Sequence, residues 1–145
     1  MITNINEFKQ FINEQYLSND AIGYNIGKFI YHVTPKKYQN KIIKNGFIPQ
    51  DGISINGKPF KNRLYFATSL IASYDLSVNF ASYKDDYKYV IFKIDSSCLD
   101  SYIKDPLFVH GIYINYPIDK KYILEIIDTQ TLFNKYDDND LENLY

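Results

Sequence analysis

Apolar residues recur at spacings of three and four in "TNINEFKQFINEQYL", where Ile5, Phe8, Phe11, Ile12 and Tyr16 follow a capping Thr3 or Asn4. This pattern predicts an amphipathic helix over residues 4–17. "KFIYHVT" packs aromatic and β-branched residues into a short run and predicts a strand. Pro35 then opens "PKKYQNKIIKNG", a predicted helix with Tyr38, Ile42 and Ile43 turned inward and Gly46 as its stop. "IPQDGISINGKPFKN" has the Gly, Pro and Asn content of an exposed loop, with room for a brief hairpin at Asn56 and Gly57. The stretch from Gly52 to Asn62 is long for a connection, so it is expected to be irregular and to border a site.

The second half repeats the strand-then-helix order. "RLYFATS" predicts a short strand ending in a Thr/Ser cap, and "SLIASYDLSVNFASY" a helix with Ile71, Ala72, Leu76 and Phe80 available for burial. "YKYVIFKIDSSCL" alternates Tyr89, Ile91 and Lys93 against Val90, Phe92 and Ile94, as a buried strand does. "FVHGIYINYPIDKKYILEIIDTQTL" predicts two strands joined through a proline-containing turn, "YPIDKK". With no repeat, low-complexity block or linker, the whole chain, 1–145, is expected to be a single α+β domain. Its core would span 29–127, and an acidic tail 136–145 would close it.

Composition narrows the chemistry. At 145 residues and 46% hydrophobic, the chain can bury roughly two-thirds of its unfolded surface. The net charge of -1 is interspersed along the chain, so the sequence shows no nucleic-acid footprint. The single cysteine, Cys98, excludes an internal disulfide and a multi-cysteine zinc site, and it is read as a small packed hydrophobe. Neither histidine has an acid or cysteine at ligand spacing, so no metal is expected. Without a long apolar run or a signal-like start, the expectation is a soluble, cytoplasmic protein with no membrane partner, a monomer or small homo-oligomer. Arg63 is the only arginine, so no site built on several guanidinium forks exists here.

"IYHVTP" with its helix and "KNGFIP", then "RLYFATS" opening a helix that ends in "FASY", then "VHGIYINYPIDKKYILEI", together resemble the ADP-ribosyltransferase-like superfamily. That superfamily includes the poly(ADP-ribose) polymerases, diphtheria-toxin-like enzymes and RNA 2'-phosphotransferases. The resemblance covers roughly residues 29–127. It implies a split, largely antiparallel sheet with flanking helices, and three short motifs on separate strands lining a pocket for NAD, used as substrate. Carried over by motif, His32 would hydrogen-bond the adenosine-side ribose, with Thr34 beside it. Tyr65 would stack on the nicotinamide ring, and Ser69 would lie near the nicotinamide amide. His32 and Tyr65 are therefore expected on neighbouring strands with both rings facing one cleft.

The third motif departs from the transferases. Many of them place a glutamate where this chain has His110 and Gly111, and that carboxylate stabilises the cationic sugar formed as nicotinamide leaves. His110, Tyr65 and Glu125 are thus the candidate catalytic residues, with Asp105 a second nearby acid. The resemblance implies an NAD-using transferase acting on a protein or nucleic acid, in a toxin, defence or counter-defence setting. The alternative is a non-catalytic domain of the same fold that binds a nucleotide, ADP-ribose or a partner protein. For the residues alone, the plain readings are a core histidine at position 32, one packing tyrosine among 15 at position 65, and a strand-entry turn at His110–Gly111.

Overall fold

The computed structural model describes residues 26–53, 57–83 and 88–130. The helix expected over 4–17 and the tail 136–145 lie outside them. Strand β1 (Phe29–Pro35) is followed by a 3₁₀ turn (Lys36–Tyr38) and helix α1 (Gln39–Asn45). Strands β2 (Gln50–Ile53) and β3 (Pro59–Ala67) lead into helix α2 (Leu70–Tyr83). The remaining strands are β4 (Tyr89–Asp95), β5 (Ile103–Lys104), β6 (Gly111–Ile114) and β7 (Ile123–Asp128).

These seven strands form one sheet in the order β5-β6-β3-β1-β4-β7, with β2 added to β3, and all the pairings between strands are antiparallel. The domain is therefore α+β with an antiparallel sheet. β1 and β4 are central and rich in apolar residues on both faces because both faces are covered. On one face Tyr31, Ala67 and Ile91 pack under Ile71, Ala72 and Tyr74 of α2. On the other, Ile30, Phe66, Phe92, Ile94 and Ile112 pack around Phe47, which enters the core just after α1. The buried Ile and Phe side chains each contribute about 1.5–3 kcal/mol.

α1 is shorter than expected and begins as a 3₁₀ turn, which changes the phase of its apolar positions. Ile42 packs inward, but Tyr38 and Ile43 are 45% and 42% exposed, and Phe47 fills the place they were expected to take. Gly46 ends the helix at φ +76°, and a Cβ there would lie 2.5 Å from the carbonyl oxygen of Ile118. That close approach lets Phe47 and Ile118 exchange backbone hydrogen bonds of 2.9 and 3.0 Å.

The segment read as a loop is largely a hairpin. β2 pairs with the first half of β3, while the second half pairs with β6 and, at Ala67, with β1. Within β3, Asn62 takes a left-handed φ of +53°. Its backbone N–H donates to the Asp51 carboxylate, and its side-chain amide donates to the Asn115 carbonyl. The strands expected to be joined by a turn at "YPIDKK" are not neighbours. β6 and β7 lie three strands apart, and the connection crosses the Phe47 face through Ile118.

Candidate functional site

β1 and β3 are adjacent in the sheet, yet they pair at one register position, Tyr31 with Ala67, whereas β1 and β4 pair along seven. Beside this short ladder lies a cavity of about 1150 Å³ bordered by both strands, by α1, by the β2–β3 hairpin and by one side of α2. His32, Thr34 and Tyr65 line it, as do Arg63 and Asp105.

His32 is half-buried, with the rings of Phe47 and Phe66 edge-on at centroid distances of 5.1 and 5.8 Å. Its Nδ1 lies 2.8 Å from the Tyr65 carbonyl oxygen. A carbonyl accepts only, so Nδ1 carries the proton and Nε2 is left as an acceptor. Burial pushes the imidazole below its usual range, more than the Tyr65 carbonyl raises it, so the ring is neutral near pH 7.

Tyr65 lies on the neighbouring strand, as expected, but its ring points to the opposite face of the sheet. The Tyr31–Ala67 register sets His32 beside Phe66 and Tyr65 beside Val33, and alternation does the rest. His32 and Tyr65 are both among the residues that line the one cavity, but the expectation that their rings face it from the same side of the sheet is not met, because a single register pair sets them on opposite faces. The Tyr65 ring meets Phe60 at 5.1 Å and Tyr113 at 5.4 Å, and its hydroxyl accepts from Arg63 Nη1 at 2.9 Å. The Arg63 guanidinium also sits 4.2 Å over the Tyr113 ring. This cluster of Arg63, Phe60 and Tyr113 was not anticipated from the sequence. The signal was there, since the lone arginine stands two residues before Tyr65 and a strand puts positions i and i+2 on one face.

The remaining candidates are dispersed. Thr34 is buried at the cavity wall. Ser69 is fully buried, and its hydroxyl accepts from the Ala72 N–H as the cap of α2. His110 is buried away from the cavity lining, beside Phe108, and its carbonyl accepts from both the N–H and the hydroxyl of Thr68. Burial lowers its pKa, with Asp75 opposing that shift. Glu125 lies on β7 in a cross-strand row with Lys93 and Tyr31, outside the cavity lining, where it helps burial push the Tyr31 hydroxyl up to about 12. Two carboxylates line the cavity, Asp51 and Asp105; Asp105 is buried in the turn before β6, with Oδ1 accepting from the Leu107 N–H at 2.9 Å. Burial pushes the Cys98 thiol up to about 11, which suits a packed side chain rather than a nucleophile.

Among the described residues there is no group of three or more metal-ligating side chains, and no helix is long and apolar enough to cross a membrane. No protein-family model matches the chain, and no curated protein matches it by sequence.

Proposed function

We propose that this chain is an ADP-ribosyltransferase-like domain that binds NAD or ADP-ribose in the cavity beside β1 and β3. The observation that carries the reading is the pairing of a tautomer-fixed His32 with the Tyr65 and Arg63 cluster around one cavity. At about 1150 Å³ the cavity is slightly larger than most ligand sites, which leaves room for a dinucleotide. His32 Nε2 accepts from an adenosine-side ribose hydroxyl, with Thr34 beside it. Tyr65 stacks on the nicotinamide ring, and Arg63, the one guanidinium, faces the pyrophosphate.

Transfer of ADP-ribose breaks the bond from the nicotinamide nitrogen to the ribose C1' and gives C1' to an acceptor oxygen or nitrogen. The leaving nicotinamide takes the bonding electron pair, and the acceptor's proton passes to a base. A carboxylate near C1' would stabilise the cationic sugar. Asp105 supports that role better than His110 or Glu125, because it is the one of the three that borders the cavity. The second reading, a non-catalytic binder, is favoured by the absence of an acid at the position of the third motif, where His110 stands.

Calorimetric titration with NAD and with ADP-ribose tests the proposal. ADP-ribose binding that weakens about tenfold in His32→Ala supports it, since one buried hydrogen bond contributes about 0.5–1.5 kcal/mol and an orphaned partner adds to the loss. Absence of binding to both ligands at millimolar concentration overturns it. NAD hydrolysis abolished by Asp105→Asn separates the enzyme from the binder.

A further inference from the structure

Lysines that are scattered in sequence gather at α1, which borders the cavity through Lys41. Lys41 and Lys44 stand three residues apart on α1, which sets them on one face, and Lys37 stands in the 3₁₀ turn that precedes it. Lys120, from the crossover between β6 and β7, completes the row, because its Nζ donates to the Lys44 carbonyl oxygen at 3.2 Å. The row reaches the cavity directly, since Lys41 and Tyr38 both line it. One aromatic ring accompanies the ammonium groups, since Lys37 Nζ lies 5.1 Å from the centroid of the Tyr38 ring, which is itself 45% exposed. Two nearby acids are already engaged. Asp128 is paired with Lys36 at 3.2 Å, and Asp119 accepts from the Lys121 N–H.

We infer that this lysine row holds the sugar-phosphate backbone of a single-stranded nucleic acid, with one base stacked on Tyr38 at the mouth of the cavity. Phosphates are met by ammonium groups in a line, and an unstacked base by the exposed face of an aromatic ring. An acidic protein segment would use the lysines but not the ring, and a flat bilayer cannot follow a row that turns into a concave cavity. The backbone grip needs only the lysine row. The inference rests on the proposed function for one point alone, that the strand approaches a ligand held in the cavity.

The test is fluorescence anisotropy of a labelled twelve-nucleotide oligo-uridine and oligo-thymidine with the full chain. Four phosphate contacts give a slope of about -2.8 in log K against log salt, so raising sodium chloride from 50 to 200 mM weakens binding about fiftyfold. The double variant Lys44→Gln/Lys120→Gln reduces that slope by about 1.4, while Lys28→Gln/Lys104→Gln, distant from the row, leaves it unchanged. The inference is overturned by equal slopes in the two variants. It is also overturned by a polyglutamate peptide or vesicles containing phosphatidylserine binding as tightly as the oligonucleotides. The parallel ADP-ribose titration keeps the two ideas distinguishable. Oligonucleotide binding with the expected slopes but no ADP-ribose binding upholds the lysine row and rejects the proposed function. The reverse outcome rejects the lysine row alone.

Discussion

The ring of His32 donates from Nδ1 to the main-chain carbonyl oxygen of Tyr65, at 2.8 Å, across the gap where the ladder between their strands ends. A side chain thus satisfies an acceptor that the β1 backbone leaves unmet, and the same bond leaves Nε2 as the acceptor nitrogen of the ring. In ¹⁵N-labelled protein, two-bond proton–nitrogen correlations at pH 7 should show a neutral His32 protonated at Nδ1. A ring protonated at Nε2 would contradict the arrangement.

Both histidines are held below their ordinary pKa by burial. Between their folded pKa and the ordinary value near 6.5, the unfolded chain binds more protons than the folded one, so lowering the pH through this window destabilises the fold. The slope is at most about 1.4 kcal/mol per pH unit for each histidine. Urea denaturation at steps from pH 7.5 to 5.5 should show stability constant above about 7 and falling below 6.5, with a shallower fall in His110→Asn. A flat profile would show that the two rings titrate normally.

Gly46→Ala is expected to cost about 2–4 kcal/mol, because it combines a left-handed φ with a Cβ 2.5 Å from the Ile118 carbonyl oxygen, a backbone atom fixed by the bridge to Phe47. Gly57→Ala, at φ +82° with no atom within 4 Å of the added methyl, should cost only about 1 kcal/mol. Denaturation midpoints of the two variants measure the difference, which isolates the close approach from the backbone strain.

Tyr65→Phe keeps the ring against Phe60 and Tyr113 but removes the acceptor for Arg63. The expected loss is about 0.5–1.5 kcal/mol of stability, at the low end because Arg63 is partly exposed and retains its seat over Tyr113. Tyr65→Ala removes the whole contact and should cost clearly more in both stability and ADP-ribose affinity, read by denaturation and calorimetry.

His110→Glu would put a carboxylate at the position where the proposed transferase reading calls for one, yet His110 is buried and lies within electrostatic reach of Asp75. A second carboxylate there meets like charge and a desolvation penalty, so the variant should lose about 2 kcal/mol or more rather than gain NAD turnover. Thermal melting together with an NAD hydrolysis assay checks both halves of that expectation.

The parts of this fold that the sequence made legible are those fixed by local pattern. β1 and β4 stand out because short runs dense in aromatic and β-branched residues suit a strand with two covered faces, and α2 because Ile71 and Ala72 follow a capping serine. Partner choice was not legible. Periodicity reports that residues 111–114 and 123–128 are extended, but not that three strands separate them. The faces of His32 and Tyr65 depend on a single register pair, which no local pattern encodes. The exposure of Tyr38 and Ile43 turned on three residues winding as a 3₁₀ turn. The lysine row joins positions 37–44 to position 120, a juxtaposition that only the crossover creates.

That crossover also shapes how the chain must find its fold. Only β2–β3 and β5–β6 join strands that are consecutive in the chain, whereas Phe29 must meet Asp95 and Leu64 must meet Ile114 before the centre of the sheet exists. Closing loops of that length is entropically costly before any apolar burial rewards it, so folding should be slow for a domain of this size. The β2–β3 hairpin is then the natural early structure, and the wall of the cavity it supplies would form before the opposite wall at β1 has a partner.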